Sequence, residues 1–277
     1  MDCIRQWLRH PQLPRLETRM LATRVLAVSP AWLLSHEDFV PDPVAQAAFI
    51  ALCTRRLAGE PMAYILGERE FYGREFLVSP ATLIPRPDTE TVIELGLRLG
   101  AANAPLSVLD LGTGSGALAI TFALERRAWQ VSAVERSAEA LAVAEENATR
   151  LGARVTWYLG SWFDSLPLES RFDLVVSNPP YIADEDIHLQ HGDVRFEPRT
   201  ALVSGTDGLD DLRQIIAQAP LFLAANGWLV LEHGFTQAPA CCQLLQAAGF
   251  SAVASAQDLA GHWRVSYGQW RPQSFAA

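Results

Sequence analysis

From residue 106 onward the chain alternates short apolar runs with helical stretches, and this alternation constrains the fold more than any other feature. The apolar runs are, in order, SVLDLG, QVSAVE, RVTWYLG, FDLVVS and GWLVLEH. Short strands separated by helices are typical of a parallel sheet that is covered by helices on both faces. We therefore predict an α/β domain with a doubly wound, Rossmann-like sheet.

The C-terminal end of the sheet is expected to contain an antiparallel strand. Two further β-like segments, FSAVASAQ and WRVSYGQW, are joined by only a short connection. A parallel crossover needs about a dozen residues or more, so these two strands should pair antiparallel.

The first 68 residues form a separate helical region by their pattern. Residues 16–28 and 43–59 place apolar residues at helical spacing, with Pro and Gly near the ends. Seven arginines balance seven acidic residues over residues 1–68, and this neutrality is more typical of a protein-recognition module than of a nucleic-acid arm. The alternative to a recognition module is a segment that only extends the main domain by packing against it.

The remaining chain divides into a connecting segment and the main domain. Residues 69–85 are rich in aromatic and β-branched side chains, which predicts a hairpin or an extended linker. We assign residues 86–277 to the main domain, whose first helix should be capped by Asp88 and run from Thr89 to Leu99.

Composition excludes several classes of chemistry. The net charge is −9, which argues against extensive binding to a nucleic-acid backbone. All 22 basic residues are arginine, so no Schiff-base lysine or P-loop lysine can operate. No apolar run reaches 18 residues and the N-terminus has no signal-peptide pattern, so we expect a cytosolic protein without a membrane partner. His188 and His191 have no evident third ligand, and we predict no metal site.

A glycine-rich loop after the first predicted strand indicates a cofactor site. The loop is DLGTGSG, residues 110–116, and Glu135 ends the next strand 23 residues after Gly112. An acid there can accept the ribose hydroxyls of an adenosine. The third glycine comes one position earlier than in the dinucleotide pattern G-x-G-x-x-G, which favours S-adenosylmethionine over a nicotinamide cofactor. Trp162, after the third strand, is a candidate for stacking on adenine.

The tetrapeptide Asn178-Pro179-Pro180-Tyr181 follows the fourth predicted strand and indicates the chemistry. Two prolines remove backbone donors and leave rigid carbonyl acceptors. A planar NH2 group can donate one hydrogen to the Asn178 side-chain oxygen and one to the Pro179 carbonyl, while Tyr181 packs against the group that carries the nitrogen. Such acceptors stabilise the positive charge that develops on nitrogen during methylation.

Several longer segments resemble those of the release-factor glutamine methyltransferases, the PrmC/HemK family, over almost the full chain. They are REF (69–71), FLVSPATLIPRPDTE (76–90), DLGTGSGALAI (110–120), SNPPYI (177–182), GDVRFEP (192–198) and LEHG (231–234). The glycine loop and Asn-Pro-Pro-Tyr are shared with other nitrogen methyltransferases, whereas IPRPDTE and RFEP are far more specific to this family.

The resemblance implies a fold, a reaction and a set of site residues. The fold is a class I S-adenosylmethionine-dependent methyltransferase domain with an N-terminal helical domain that helps to grip the substrate. The reaction is methylation of the side-chain amide nitrogen, N5, of the glutamine in the Gly-Gly-Gln motif of bacterial peptide chain release factors. The glutamine would be held by Asn178, Pro179, Pro180 and Tyr181, and the cofactor by Gly112, Thr113, Gly114, Ser115, Gly116, Glu135, Trp162 and Asn178. Many members carry aspartate where this chain has Glu135.

Two other functions remain open at this point. The tetrapeptide accepts any planar amine, so an adenine-N6 or guanine-N2 methyltransferase acting on nucleic acid is the first alternative. A non-catalytic cofactor-binding protein is the second. The charged residues of the family-specific segments either shape the mouth of the site or serve the structure through ion pairs, and we favour the structural role for Arg86, Asp88, Glu90, Asp193, Arg195 and Glu197.

Overall fold

The computed structural model describes residues 2–101 and 104–272 and divides the chain into two compact units. The first contains Met1–Glu68 and Gln190–Phe196, and the second contains Arg69–Leu189 and Glu197–Ala277. The predicted domain boundaries place residues 190–196 in the main domain, whereas this segment packs within the first unit. The boundaries at 68 and 85 stay predictions.

In the part of the chain that the structure describes, the first unit has five α-helices around a small apolar core. They are α1 (Ile4–Trp7), α2 (Arg15–Leu26), α3 (Pro30–Ser35), α4 (Pro43–Leu57) and α5 (Met62–Leu66). Ser29 and Asp42 cap α3 and α4 by accepting backbone N–H groups, and a proline follows each cap. In the core, the rings of Trp7 and Phe49 stack with centroids 4.1 Å apart.

The predicted hairpin is formed by β1 (Glu68–Phe71) and β2 (Arg74–Leu77), and from Arg69 onward it belongs to the second unit. Its turn residues Tyr72 and Gly73 have φ of 50° and 73°. Positive φ at both central positions is the geometry of the tight turn whose twist matches antiparallel strands.

A seven-stranded sheet forms the centre of this unit, in the order β5-β4-β3-β6-β7-β9-β8. Its strands are β3 (Ser107–Leu111), β4 (Gln130–Glu135), β5 (Val155–Leu159), β6 (Phe172–Ser177), β7 (Leu223–Glu232), β8 (Ser251–Gln257) and β9 (Trp263–Gln269). The pairs among β3 to β7 are parallel, and β9 is antiparallel to both β7 and β8. The predicted mixed sheet, including the antiparallel pair at its C-terminal end, is confirmed.

Helices cover both faces of the sheet. They are α6 (Glu90–Leu99), α7 (Ala117–Glu125), α8 (Ala138–Leu151), α9 (Asp210–Gln218) and α10 (Ala238–Ala247). Alternate residues of the central strand enter different cores: Val108 packs with residues of α6 and α7, whereas Leu109 packs with residues of α9 and α10. This alternation explains why the strands are apolar throughout.

The predicted cap of α6 is wrong. The helix begins at Glu90 after a 3-10 turn over Pro87–Thr89, and no side chain caps it. The Asp88 carboxylate instead lies 3.2 Å from Nη2 of Arg264 on β9. An ion pair with a residue this distant in sequence gives no local signal, so the local capping rule fails here.

Among the described residues, no helix is both long enough and apolar enough to cross a membrane.

The contact between α6 and α7 generates a stability prediction. A Cβ atom added at Gly96 would lie 2.6 Å from the ring of Phe122, which is fully buried. Gly96→Ala should therefore lower the free energy of unfolding by about 1–3 kcal/mol through overpacking, despite the better helix propensity of alanine. Urea denaturation measures this difference.

The double variant Gly96→Ala/Phe122→Leu provides the control, because the smaller side chain returns the space. The double variant should lose less free energy of unfolding than the two single variants lose together. Strict additivity would contradict the proposed contact.

Candidate active site

A cleft lies at the carboxyl ends of β3, β4 and β6, in the second unit. Within the sheet, β4 lies next to β3 on one side and β6 lies next to β3 on the other. The loops that follow β3 and β6 therefore diverge at this point. Ligands of open α/β sheets bind at such a position. The empty space within the cleft, including its mouth, is about 960 Å³.

The cleft brings together most of the predicted site residues. Those that line it are Gly112, Thr113, Gly114, Ser115, Glu135, Trp162, Asn178 and Pro180. Gly116, Pro179 and Tyr181 are outside this lining and adjoin residues that belong to it.

The loop after β3 needs its glycines for conformation and for space. Gly112 and Gly116 have φ of 69° and 83°, a region that other residues rarely adopt. A Cβ atom at Gly112 would lie 3.2 Å from the ring of Trp162, and one at Gly116 would lie 2.7 Å from Ile120. The indole of Trp162 therefore packs directly over the backbone of Gly112.

Asn147 on α8 connects the loop after β3 to the β1–β2 hairpin through hydrogen bonds. Its side-chain nitrogen donates to the carbonyl oxygens of Ser115 at 2.9 Å and Leu77 at 3.0 Å, and its oxygen accepts the Leu77 N–H at 2.7 Å. Asn147 is fully buried. These three hydrogen bonds connect the loop after β3 to the hairpin beside the cleft.

Asp110, the penultimate residue of β3, lines the cleft and is not among the predicted site residues. Its Oδ2 atom accepts hydrogen bonds from the Thr113 hydroxyl at 2.5 Å and the Ala119 N–H at 3.2 Å. Its Oδ1 atom is buried without a hydrogen-bond partner among the described residues, although Asp110 lines the cleft. Burial raises the pKa of Asp110 to about 7, against the effect of those two hydrogen bonds.

Glu135 accepts backbone N–H groups with both carboxylate oxygens. Oε2 accepts from Gly114 at 2.9 Å, and Oε1 accepts from Arg136 at 2.9 Å and Ser137 at 3.0 Å. A carboxylate has about four acceptor positions, so about one remains for a ligand. Pairing with both ribose hydroxyls, as the sequence analysis expects, would require the release of one backbone N–H.

Trp162 has a backbone conformation that is rare for an aromatic residue. Its φ is 48°, and its side chain is nearly buried while lining the cleft. Residues held in this region of φ/ψ space are concentrated at functional sites.

Asn178 has its side-chain nitrogen occupied. Nδ2 donates one of its two hydrogens to Oγ1 of Thr89 at 3.1 Å, and Asn178 lines the cleft, so its Oδ1 atom is available as an acceptor. The preceding residue joins the two central strands, since the Ser177 hydroxyl donates to the Leu111 carbonyl at 2.7 Å. The tetrapeptide is thereby held beside the glycine loop.

Tyr181 is anchored to a buried carboxylate. Its hydroxyl donates to Oε1 of Glu232, the last residue of β7, at 3.3 Å, and its carbonyl accepts from Gln237 at 3.0 Å. Burial raises the pKa of Tyr181, and the charge of Glu232 adds to this effect. The hydroxyl therefore stays protonated and remains a donor.

The two family-specific segments meet at the wall of the cleft. Nη2 of Arg86 lies 2.7 Å from Oε2 of Glu197, whose side chain is fully buried, and Oε1 of Glu197 accepts the Ile84 N–H at 3.3 Å. Pro85 and Pro198, next to this pair in the chain, both line the cleft. The ion pair thus joins two lining segments that are more than 100 residues apart in sequence.

The other charged residues of these segments also make structural contacts. Glu90 accepts the Tyr72 N–H at 3.0 Å. Within the first unit, Asp193 lies 3.6 Å from Arg56, and Arg195 donates to the Ala58 carbonyl at 3.0 Å.

Over residues 2–101 and 104–272, no group of three His, Cys, Asp or Glu side chains is arranged to hold a metal ion.

The comparison with known proteins identifies the family. The model "PrmC N-terminal domain" matches residues 4–67, and "Methyltransferase small domain" matches residues 98–196. A release factor glutamine methyltransferase of Bordetella pertussis is 52% identical over 97% of this chain and 99% of its own length. One of Vibrio cholerae is 46% identical over 94% of this chain and 91% of its own length.

The chain belongs to the release factor glutamine methyltransferase family. The resemblance stated from the sequence is thereby confirmed, and so is the predicted fold class of a methyltransferase sheet with an N-terminal helical domain.

Solved structures agree on the fold of the sheet. A methyltransferase from Pyrococcus furiosus superposes with a TM-score of 0.53, at 19% identity over 78% of this chain and 96% of that one. A 16S rRNA N2 G1207 methyltransferase from T. thermophilus, solved with AdoMet and guanosine, gives 0.54 at 21% identity over 74% of this chain and 50% of that one.

The lining fits the cofactor of a methyltransferase of this family. S-adenosylmethionine carries two positive charges, on its amino group and on its sulfonium sulfur. The partnerless Oδ1 of Asp110 is a buried acceptor that a cation would satisfy. The Trp162 ring and the apolar side chains of Val134 and Ala140 offer surfaces for a planar base.

The buried Asp110 carboxylate generates a prediction about stability and pH. Folding raises the pKa of Asp110 from 3.8 to about 7, so the folded state favours the protonated carboxyl. The stabilisation that this proton provides is fully present below pH 4 and is lost as the pH rises through 7. Asp110→Asn should therefore be more stable than the wild type at pH 8, by about 1–3 kcal/mol, and this advantage should shrink toward pH 5. Denaturant titrations at the two pH values measure the difference.

Asp164→Asn makes the same chemical change on an exposed residue and serves as the control. An Asp110→Asn advantage that is equal at pH 5 and pH 8 would contradict the assignment of a raised pKa in the folded protein.

Proposed function

We propose that this chain transfers a methyl group from S-adenosylmethionine to N5 of the glutamine in the Gly-Gly-Gln motif of peptide chain release factors. The proposed chemistry is supported by Asn178, which lines the cleft and has its Nδ2 atom bound to Thr89, so that Oδ1 would serve as the acceptor. Relatives that match along almost the whole chain and are named release factor glutamine methyltransferase support the choice of substrate. Such a substrate would place the chain in the cytoplasm.

The proposed cofactor subsite comprises the glycine loop, Asp110, Glu135 and Trp162. When bound, S-adenosylmethionine supplies an electrophilic methyl group on a sulfonium. Asp110 offers a carboxylate to a cation, Glu135 offers an acceptor to a ribose hydroxyl, and Trp162 offers an aromatic face. These groups bind and orient the cofactor and take no part in bond making.

The proposed glutamine subsite consists of acceptors directed at an NH2 group. Asn178 Oδ1 and the carbonyl of Pro179 would each accept one hydrogen of the substrate amide, which leaves the nitrogen lone pair directed at the methyl group. As the methyl arrives, positive charge develops on nitrogen, and both acceptors stabilise it. The proton becomes acidic only after this transfer, so no strong general base is required beforehand.

A nucleic-acid amine as substrate is less consistent with the chain. The net charge of −9 opposes the binding of a polyanion. The relatives that match along almost the whole chain carry the protein-glutamine name, whereas the likeness to the rRNA enzyme is confined to the fold.

The decisive experiment is mass spectrometry of a release factor incubated with this chain and S-adenosylmethionine. We expect one added methyl group on the Gly-Gly-Gln glutamine, and none on a release factor in which that glutamine is replaced by alanine. Parallel incubations with DNA and RNA test the alternative. Methyl transfer to nucleic acid and none to the release factor would overturn the proposal.

Asn178→Ala tests the proposed acceptor. The variant should lose most of its turnover, about 100-fold or more, because one of the two acceptors is removed. Cofactor binding, measured by calorimetry, should stay largely intact because the glycine loop, Asp110 and Glu135 are unchanged. Turnover close to that of the wild type would contradict the proposed role.

A further inference from the structure

Gln237, which immediately precedes α10, connects two backbone segments of the second unit. Its Oε1 atom accepts the N–H of Gly234 at 2.8 Å, and its Nε2 atom donates to the carbonyl oxygen of Tyr181 at 3.0 Å. Two further carbonyl oxygens, those of Asp207 and Gly208, lie 3.4 Å and 3.3 Å from Nε2. One side chain therefore joins the segment after β7 to the end of the Asn-Pro-Pro-Tyr segment.

The backbone partners fix the orientation of the Gln237 carboxamide. A peptide N–H only donates and a peptide carbonyl only accepts, so Gly234 requires the oxygen of the carboxamide and Tyr181 requires its NH2 group. A reversed amide would place two donors together at Gly234 and two acceptors together at Tyr181. The orientation thus follows from four backbone groups whose roles do not change.

Gly208 lets its own loop approach the Tyr181 carbonyl closely. Its φ is 74°, and a Cβ atom there would lie 2.3 Å from the Tyr181 oxygen. Three carbonyl oxygens consequently converge on the NH2 group of Gln237. Carbonyl oxygens that are gathered in one place repel one another unless donors lie between them. The Nε2 atom of Gln237 supplies these donors.

The Asn-Pro-Pro-Tyr segment is held at both of its ends. At one end, the Asn178 side chain is hydrogen-bonded to the turn before α6. At the other end, the N–H of Tyr181 donates to the Leu202 carbonyl at 3.2 Å, and the Tyr181 carbonyl accepts from Gln237. The two prolines between these ends have a fixed φ, so few backbone rotations remain. A shift of Tyr181 would therefore change the direction of the Pro179 carbonyl.

We infer that Gln237 is a positioning residue for methyl transfer, which holds the Tyr181 peptide and thereby sets the direction in which the Pro179 carbonyl faces the substrate nitrogen. Gln237 is outside the lining of the cleft, so it acts through Tyr181 and not on the cofactor. This inference rests on the proposed function for its kinetic consequence. The orientation of the Gln237 amide follows from its contacts alone.

Gln237→Glu removes the donor and keeps the size of the side chain. One carboxylate oxygen can still accept from Gly234, but the other places an acceptor opposite the Tyr181 carbonyl. In methyl transfer to a release factor at pH 8, kcat should fall about 10- to 100-fold with little change in KM, because Tyr181 is displaced. Wild-type kcat in this variant would overturn the inference.

Gln243→Glu is the matched control, because Gln243 is exposed on α10 and the substitution adds the same charge. Its kcat should stay within about 2-fold of the wild type, and an equal loss in both variants would overturn the inference. A negative charge at the start of α10 is favourable to the helix dipole, so Gln237→Glu should leave this helix folded. Thermal melts of both variants separate a loss of stability from a loss of turnover.

The pH dependence of Gln237→Glu distinguishes a missing donor from a general distortion. A protonated carboxyl has one O–H group and can again donate to the Tyr181 carbonyl. The facing carbonyl oxygens disfavour the charged form of the introduced carboxyl, and the neighbouring Asp207 carboxylate is paired with Arg213. The deficit in kcat, relative to the wild type at the same pH, should therefore shrink about 3-fold or more between pH 8 and pH 5. An equal deficit at both pH values would overturn the role of Nε2 as the donor.

A measurement without substrate keeps this inference separate from the proposed function. In protein labelled with fluorotyrosine, the signal of Tyr181 among the five tyrosines is assigned by its disappearance in Tyr181→Phe. This fluorine signal should shift in Gln237→Glu at pH 8 and keep its position in Gln243→Glu. An unchanged position in both would overturn the inference even if the release factor is methylated. A shift in Gln237→Glu, together with a wild type that does not methylate the release factor, would count against the proposed function alone.

Discussion

The parallel pairing of β3 with β6 is the constraint on which the rest of the site depends. The chain runs from β3 to one side of the sheet and comes back to β6 on the other, so two loops diverge from adjacent strand ends. The Ser177 hydroxyl, bound to the Leu111 carbonyl, fixes the spacing of those ends. The glycine loop and the Asn-Pro-Pro-Tyr segment therefore face the same cleft, although more than 60 residues separate them in sequence.

Around this cleft the protein retains two carboxylates whose burial opposes their ionisation. Asp110 lines the cleft and has one oxygen without a partner among the described residues, and Glu232 accepts the Tyr181 hydroxyl with one oxygen while its other oxygen has no partner there either. Burying a charge is unfavourable for folding unless partners compensate it. The burial of both carboxylates lowers the stability of the folded protein. Proteins tolerate such a loss where a ligand or a neighbouring polar group needs a negative charge at a fixed position.

The sequence predicts the strands and several residues that line the cleft, because apolar runs and a glycine loop are local signals. It was insufficient wherever a contact joins distant segments. Asp88 looked like a helix cap and instead pairs with Arg264, which lies on the last strand. Glu135 looked free for two ribose hydroxyls, yet it already accepts three backbone N–H groups from its surroundings. Thr89, Asp110 and Glu232 each lie in a segment that the resemblance marks, but only the fold shows that Thr89 contacts Asn178, that Asp110 lines the cleft and that Glu232 binds Tyr181.

Asn147 fastens the hairpin to the cofactor loop through peptide groups alone. It bonds to the backbone of Leu77 and Ser115 and to neither side chain. Evolution can therefore exchange residues 77 and 115 without disturbing the junction, while position 147 has no substitute of the same length that both donates and accepts. A comparison of sequences would not reveal this connection through correlated substitutions. Residues 77 and 115 contribute only backbone atoms, which do not depend on the side chain.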